Sequence, residues 1–291
     1  MKRRHFLQFS SLLGLATSVP AVSLPAGPVT FVLIHGAWHS SACWARLTPL
    51  LTAAGHRVLA LDLPGHGTNA RFPRPGQRSP LADLTLEDAA QAVLATLKTL
   101  PRPRVLVGHS MAGHVLSRVA ELAPGEVDQL VYLSAFMPVE RPSFADYMTL
   151  PEARTEYVQS LILGDPVQLG ASRIDPHSSD PDYQRRLHLS FYGDVSEEDF
   201  RAFGNGLTPD QPFHFFADSP RISRERWGRV PRAYLVLEKD QALPLGLQER
   251  FVREADAFVP ANPTRVRRLA SSHSPFASMP DKLAETLLNL I

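Results

Sequence analysis

The chain has 291 residues, 44% of them apolar, and a formal net charge of +1, so it can bury a large core and does not have the composition of a disordered segment. Thirty basic residues stand against 29 acidic ones, with no basic stripe, zinc-finger spacing or RNP-like aromatic pattern, which excludes nucleic acid as a partner. The single cysteine, Cys43, excludes an intramolecular disulfide and reads as a small buried residue rather than a reactive thiol.

At the start, Lys2-Arg3-Arg4 precedes a modest apolar run from Phe6 to Ala16, followed by small residues around Ala21 and Ala26. This reads as a twin-arginine export signal over residues 1–26, with the mature protein periplasmic or secreted. Ser10, Ser11, Gly14, Thr17 and Pro20 leave the run too short and too polar to span ~30 Å of hydrocarbon, so no stable membrane anchor is expected after cleavage. Cleavage removes three basic residues and no acid, which takes the formal net charge to −2.

Beyond the leader, continuous apolar runs predict buried parallel strands at Thr30 to His35, Arg57 to Asp62, Arg104 to Val107, Gln129 to Ser134, Ala233 to Leu237 and Arg265 to Leu269. Helical patterns fall between and after them: Cys43 to Ala54 closing at Gly55, Thr85 to Leu100, Met111 to Ala123, Leu245 to Ala255 and Asp281 to Leu290. Thr85 with Asp88 resembles a capping box. Alternating strands and helices predict an α/β fold, doubly wound around a mostly parallel sheet of about six core strands. Residues 137–230 break the rhythm. They are rich in Pro, Asp and aromatic residues, carry short helical pieces such as Ser196 to Phe200, and show no clear buried strand, so they predict an inserted, mainly helical cap. The core then comprises 27–136 and 231–291, with the Arg- and Pro-rich stretch 71–80 a solvated loop near the cap.

The most informative segment is Val105-Leu-Val-Gly108-His109-Ser110-Met111-Ala112-Gly113, where an apolar strand runs into a serine flanked by small residues and a helix follows. A serine on such a turn sits in a strained backbone position with its hydroxyl in a cleft and the next N–H pointing at the same spot. Gly108 and Gly113 suit a close strand–helix approach, and Ala112 replaces the last glycine of strict G-x-S-x-G.

A serine nucleophile on this turn needs an acid and then a histidine downstream, each beyond a strand end. His273 is the only histidine after His214 and follows the last predicted strand. Asp240 lies in the loop after the preceding strand and is the expected orienting acid. Glu238, nearer the strand end, suits a structural ion pair, and Asp256 a solvated charge. Two N–H groups must hold a tetrahedral oxyanion, and Met111 and Ala37 are positioned for it, Ala37 in the small-residue turn His35-Gly-Ala-Trp-His39. Trp38, Phe136, Phe191 and Tyr192 are expected to line the substrate pocket. His35 and His39 lack a metal-binding pattern such as HExxH, so no metal is expected. His66 reads as a loop residue, and His109 and His114 as structural.

Five blocks together resemble the α/β-hydrolase superfamily: Phe31-Val-Leu-Ile-His-Gly-Ala-Trp-His39, Ala54-Gly-His-Arg-Val58 leading to Leu61-Asp-Leu63, Val107-Gly-His-Ser-Met111, Ser134-Ala-Phe-Met-Pro138 and Val230-Pro-Arg-Ala-Tyr234. Within it they are similar to the group of plant hydroxynitrile lyases, salicylate-type methylesterases and related bacterial esterases. The resemblance covers about residues 29–140 and 227–291 and is poor over the cap. It implies the same triad, Ser110, Asp240 and His273, the same oxyanion donors and no cofactor. The lyases of the group place a threonine after the first-strand histidine and a lysine after the catalytic one, where this chain has Gly36 and Ser274. The expectation is a serine esterase acting on small carboxylic esters with an apolar portion. A lactone or amide hydrolase, a hydroxynitrile lyase and a non-catalytic ligand-binding protein are the alternatives.

Overall fold

The computed structural model describes residues 27–155 and 157–291. The expected export signal lies outside these residues.

In chain order the strands are β1 (Thr30–Ile34), β2 (Arg57–Leu61), β3 (Arg104–His109), β4 (Gln129–Leu133), β5 (Ala171–Arg173), β6 (Asp210–Pro212), β7 (Arg232–Leu237) and β8 (Arg265–Leu269). Six of them form one parallel sheet in the order β2-β1-β3-β4-β7-β8. The inner strands β1, β3, β4 and β7 are buried along their whole length, which is why they read as unbroken apolar runs. Edge strand β8 keeps Arg267 and Arg268 in solvent.

Three helices help to cover the sheet, α1 (Thr48–Ala53), α2 (Leu86–Leu97) and α3 (Ala112–Leu122), with Leu245–Phe258 and Pro280–Leu288 following β7 and β8. The Thr85 hydroxyl accepts from the Asp88 N–H, and Asp88 in turn accepts from the Thr85 N–H, so the capping box forms with Asp in place of Glu. The helix expected from Cys43 to Ala54 is instead split into a 3₁₀ turn, Ser41–Trp44, and α1. Pro49 is the physical reason. Its missing N–H and fixed φ fit the first turn of a helix and not the interior of one, so α1 begins around it.

From β4 to β7 the chain leaves the sheet and builds the cap, mainly from the helices Pro181–Tyr192 and Glu197–Gly204 and several single turns. It also contains strands that the sequence did not suggest: β5 and β6 pair antiparallel with Ala171 opposite Pro212, Ser172 opposite Gln211 and Arg173 opposite Asp210. Their three-residue lengths carry no apolar alternation. A buried bidentate ion pair holds them instead, Arg173 Nε and Nη2 lying 2.6 and 2.8 Å from the two Asp210 oxygens. The 71–80 loop is largely exposed and reaches the cap through the Ser79 N–H on the Leu169 carbonyl, 2.8 Å.

From β1 the chain moves outward to β2, then returns to the other side of β1 for β3. The strand order therefore reverses between β1 and β3, and a crevice opens beyond their carboxyl ends. Ala37 follows β1 and Ser110 follows β3, so both stand at that crevice.

Candidate active site

Ser110 has φ +53°, a left-handed value that a serine adopts only when its surroundings hold it there. Its N–H donates to Leu133 O at 3.2 Å, and its carbonyl accepts from Gly113 N at 3.1 Å and Phe136 N at 3.0 Å. β3, β4 and α3 thus all grip the turn. Gly36, Gly108 and Gly113 make the close approach possible. A β-carbon on Gly113 would lie 2.1 Å from the Phe136 carbonyl oxygen, one on Gly108 2.5 Å from a Leu116 methyl, and one on Gly36 2.9 Å from the Ser110 β-carbon.

Asp240 and His273 meet in the buried loops after β7 and β8. The His273 Nδ1–H donates to Asp240 Oδ2 at 2.6 Å. That carboxylate also accepts from Ser134 Oγ at 2.6 Å and, through Oδ1, from the N–H groups of Ala242 and Leu243 at 2.7 and 2.8 Å. Four donors fix the carboxylate and require the ring proton on Nδ1, which leaves Nε2 as a proton acceptor. Ser134, itself at φ +37°, was not among the expected site residues; its position at the end of β4 was the available signal. The loop before His273 is tied to the cap by the Ser272 N–H on Asp194, 2.9 Å. His109 joins the two halves of the site. Its Nε2–H donates to the His273 carbonyl at 2.8 Å, and the two rings lie 4.3 Å apart between centroids.

The turn after β1 is held peptide by peptide. His35 Nε2 accepts from Leu63 N at 3.1 Å, so its Nδ1–H donates to Gly36 O at 2.8 Å. In a trans peptide the N–H points opposite to the carbonyl, so this bond orients the Ala37 N–H. His39 Nδ1 lies 2.7 Å from Ala37 O and its Nε2 2.8 Å from the Tyr192 hydroxyl. Neither the Ala37 nor the Met111 N–H donates to a backbone carbonyl among the described residues. Burial is the first cause that keeps these rings neutral: His35 and His109 are pushed well below the usual histidine range, and His39 down to about 4. Burial likewise lowers His66 and, aided by the charge of Asp62, drives the Cys43 thiol far up, so Cys43 is an inert core residue.

Ser110, Ala37 and Trp38 open into a cavity of about 260 Å³ walled by Phe136, Phe144, Phe191, Phe216 and Met148. Among the described residues no charged side chain lines it. Phe136 and Phe144 stack with centroids 3.4 Å apart, and Trp38 packs against both Phe191 and Phe216. Three of the four expected lining residues are therefore there. Tyr192 is not: next to Phe191 on the helix Pro181–Tyr192, it projects about 100° away from it, bonds His39 and lines a separate recess beside Cys43 and Arg46. Glu238 pairs with Arg268 at 3.8 Å, away from His273. Asp256 corrects an expectation. It is half-buried, accepting from the Thr264 N–H at 2.7 Å with the Arg232 guanidinium 3.8 Å away, because a fully buried arginine needs a counter-charge.

A serine on a strand–helix elbow, a carboxylate–histidine pair and a turn with inward N–H groups, all beyond the carboxyl ends of one parallel sheet, define a hydrolase of the α/β class. The chain belongs to the alpha/beta hydrolase family, whose model matches residues 31–286. Among curated relatives, a pyrethroid hydrolase from Sphingobium wenxiniae is 29% identical over 265 residues, covering 88% of this chain and 85% of its own. Methylesterase 1 from Arabidopsis thaliana is 30% identical over 277 residues, covering 89% and 95%, and an alpha-hydroxynitrile lyase from the same plant is 29% identical over 276 residues, covering 88% and 95%. The solved pyrethroid hydrolase from Sphingobium faniae superposes with a TM-score of 0.72 at 28% identity, over 90% of this chain and 96% of that one.

Proposed function

We propose that this hydrolase is a serine esterase that cleaves small, uncharged carboxylic esters with an apolar portion. The observation that carries the reading is the Asp240-held His273, its ring 4.3 Å from that of His109, next to an elbow serine that opens into an aromatic cavity with no charged side chain among the described residues. His273 Nε2 takes the Ser110 proton as Oγ attacks the ester carbonyl. The Ala37 and Met111 N–H groups receive the oxyanion, a contribution of about 2.7–4 kcal/mol for one such donor. Collapse breaks the bond to the alkoxy oxygen, which leaves as the alcohol with the proton held on His273. Water, deprotonated by the same histidine, then releases the acid from the acyl-enzyme. Esterases among the relatives support this chemistry.

Lyase chemistry is disfavoured by two positions. Any side chain at residue 36 would start 2.8 Å from His109 Nδ1 and 2.9 Å from the Ser110 β-carbon, so a threonine has no room there. Residue 274 is a buried serine with no positive charge for a departing cyanide, whose desolvation would cost several kcal/mol. A panel of nitrophenyl esters graded in acyl length, with lactones, amides and mandelonitrile beside them, tests the reading. Ser110-dependent turnover of medium-length or aryl esters is expected, with no cyanide release. Cyanide release with every ester intact would overturn it. The proposal includes export on Arg3 and Arg4: an Arg3→Lys, Arg4→Lys protein should stay in the cytoplasm on fractionation, and unchanged activity outside would remove that part.

A further inference from the structure

The turn that supplies the Ala37 N–H is gripped by the cap as well as by the core. Trp38, at φ +60°, gives every polar group it has to the region of β5 and β6. Its N–H donates to Gln211 Oε1 at 3.3 Å, its indole Nε1–H to Ser172 O at 2.8 Å, and its carbonyl accepts from Thr208 N at 2.7 Å and Thr208 Oγ1 at 3.2 Å. Ser172 and Gln211 are direct cross-strand partners, so one rung of the β5–β6 pair holds Trp38 at both ends. The neighbouring rung is the buried Arg173–Asp210 ion pair, which stiffens the pair at that point. Gln211 is fully buried, and its Oε1 also lies 3.1 Å from His66 Nε2.

From this geometry we infer that Gln211 is a positioning residue for the oxyanion site, an assignment that rests on the esterase reading. The peptide between Ala37 and Trp38 has its carbonyl on His39 and its N–H on Gln211. Its plane is fixed from both sides, as the plane of the preceding peptide is fixed by His35. Two fixed planes leave the Ala37 N–H one direction, which we take to be toward the oxygen of the carbonyl that Ser110 attacks. Removing the Gln211 acceptor frees the second plane, and residue 38 relaxes from its left-handed conformation. Such a displacement acts on the charged tetrahedral state more than on the bound ester, because the donor matters most where charge develops.

Gln211→Met keeps the shape and deletes the acceptor, whereas Gln211→Glu keeps an oxygen facing Trp38. In Gln211→Met, kcat should fall about 10- to 100-fold with KM within about threefold. Affinity for a trifluoromethyl ketone, which forms the same tetrahedral oxyanion on Ser110, should fall by a similar factor, and Gln211→Glu should recover much of both. Thr208→Val, a milder change on the same residue, should lower kcat about two- to fivefold in the same pattern and serves if Gln211→Met does not fold. An active enzyme whose folded variants keep kcat and ketone affinity, or lose KM alone, overturns the assignment and leaves the esterase reading standing. A wild-type protein that turns over no ester overturns both.

Discussion

The carboxylate of Asp240 accepts from His273, Ser134, Ala242 and Leu243, and this is what separates it from Glu238, two residues away in the same loop. The pairing of Asp240 with His273 was legible from chain order and distance past the strand, since a carboxylate at the strand end cannot curve back to a histidine on the next loop. The role of Ser134 was not. A serine after an apolar strand has no local mark of the hydrogen bond it will make across the sheet, 106 residues away in sequence. Tyr192 failed for a related reason: aromatic character was visible, but which helix face it would occupy depended on where the cap docks. At this scale the prediction is that Ser110→Ala and His273→Ala each lower kcat by about 10⁶, with the double variant barely worse, because the pair acts as a unit. Asp240→Asn should cost about 10⁴, since an amide cannot hold the Nδ1–H tautomer. Glu238→Gln, which loses one exposed ion pair, should stay within about twofold of wild type. Steady-state kinetics on one nitrophenyl ester decides it, and a crippled Glu238→Gln beside a near-normal Asp240→Asn would reassign the acid.

Elements were legible where a pattern could be read locally. The inner strands announce themselves because burial on both faces demands unbroken apolar runs, and α2 because Thr85 and Asp88 mark its start. The β5–β6 pair has neither mark: it is short, polar and closed by residues 37 or more apart, with its stability in one ion pair. Glycines at element contacts carried a different kind of information, the space available. Gly113 lies where α3 presses on the backbone after β4, and a β-carbon there would meet the Phe136 carbonyl oxygen at 2.1 Å and the Phe136 nitrogen at 2.8 Å. Backbone cannot swing aside as a flexible side chain can. Gly113→Ala should therefore lower the unfolding free energy by about 3 kcal/mol or more and misplace the Ser110 turn. Gly125, in the turn after α3, has open space around its would-be β-carbon, and Gly125→Ala should change stability by less than about 0.5 kcal/mol. Urea unfolding of the two variants provides the comparison, and equal midpoints would mean that the helix slides to make room.

For the whole molecule, the notable feature is how many buried imidazoles lie beneath the cleft and beside the cap. His35 and His66 are 4.9 Å apart between centroids, His39 and His109 5.8 Å, and His109 and His273 4.3 Å, while His114 lies under Phe136 with its Nδ1–H on Phe215 O at 2.9 Å. Burial holds His39 and His114 down to about 4 and lowers His35, His66 and His109 as well. In the unfolded chain the same side chains titrate near about 6.5. Between those limits the unfolded state binds more protons than the folded one, so stability rises with pH through that window and levels off above about pH 7. This protein should therefore weaken already in mild acid. By pH 4.5, His114 alone should cost about 2–3 kcal/mol of unfolding free energy relative to neutral pH. Its neighbours add to that, and each protonation makes the next one costlier through rings that face one another. His114→Asn tests the argument without touching the proposed chemistry, because an asparagine amide can still donate toward Phe215 and cannot gain a proton. Urea unfolding at about pH 7 and about pH 4.5 should show a shallower loss in the variant, by about 2–3 kcal/mol, even where the variant is less stable at neutral pH. Parallel losses in the two proteins would mean that His114 titrates normally in the folded state, and that mild-acid weakening, if seen, comes from elsewhere.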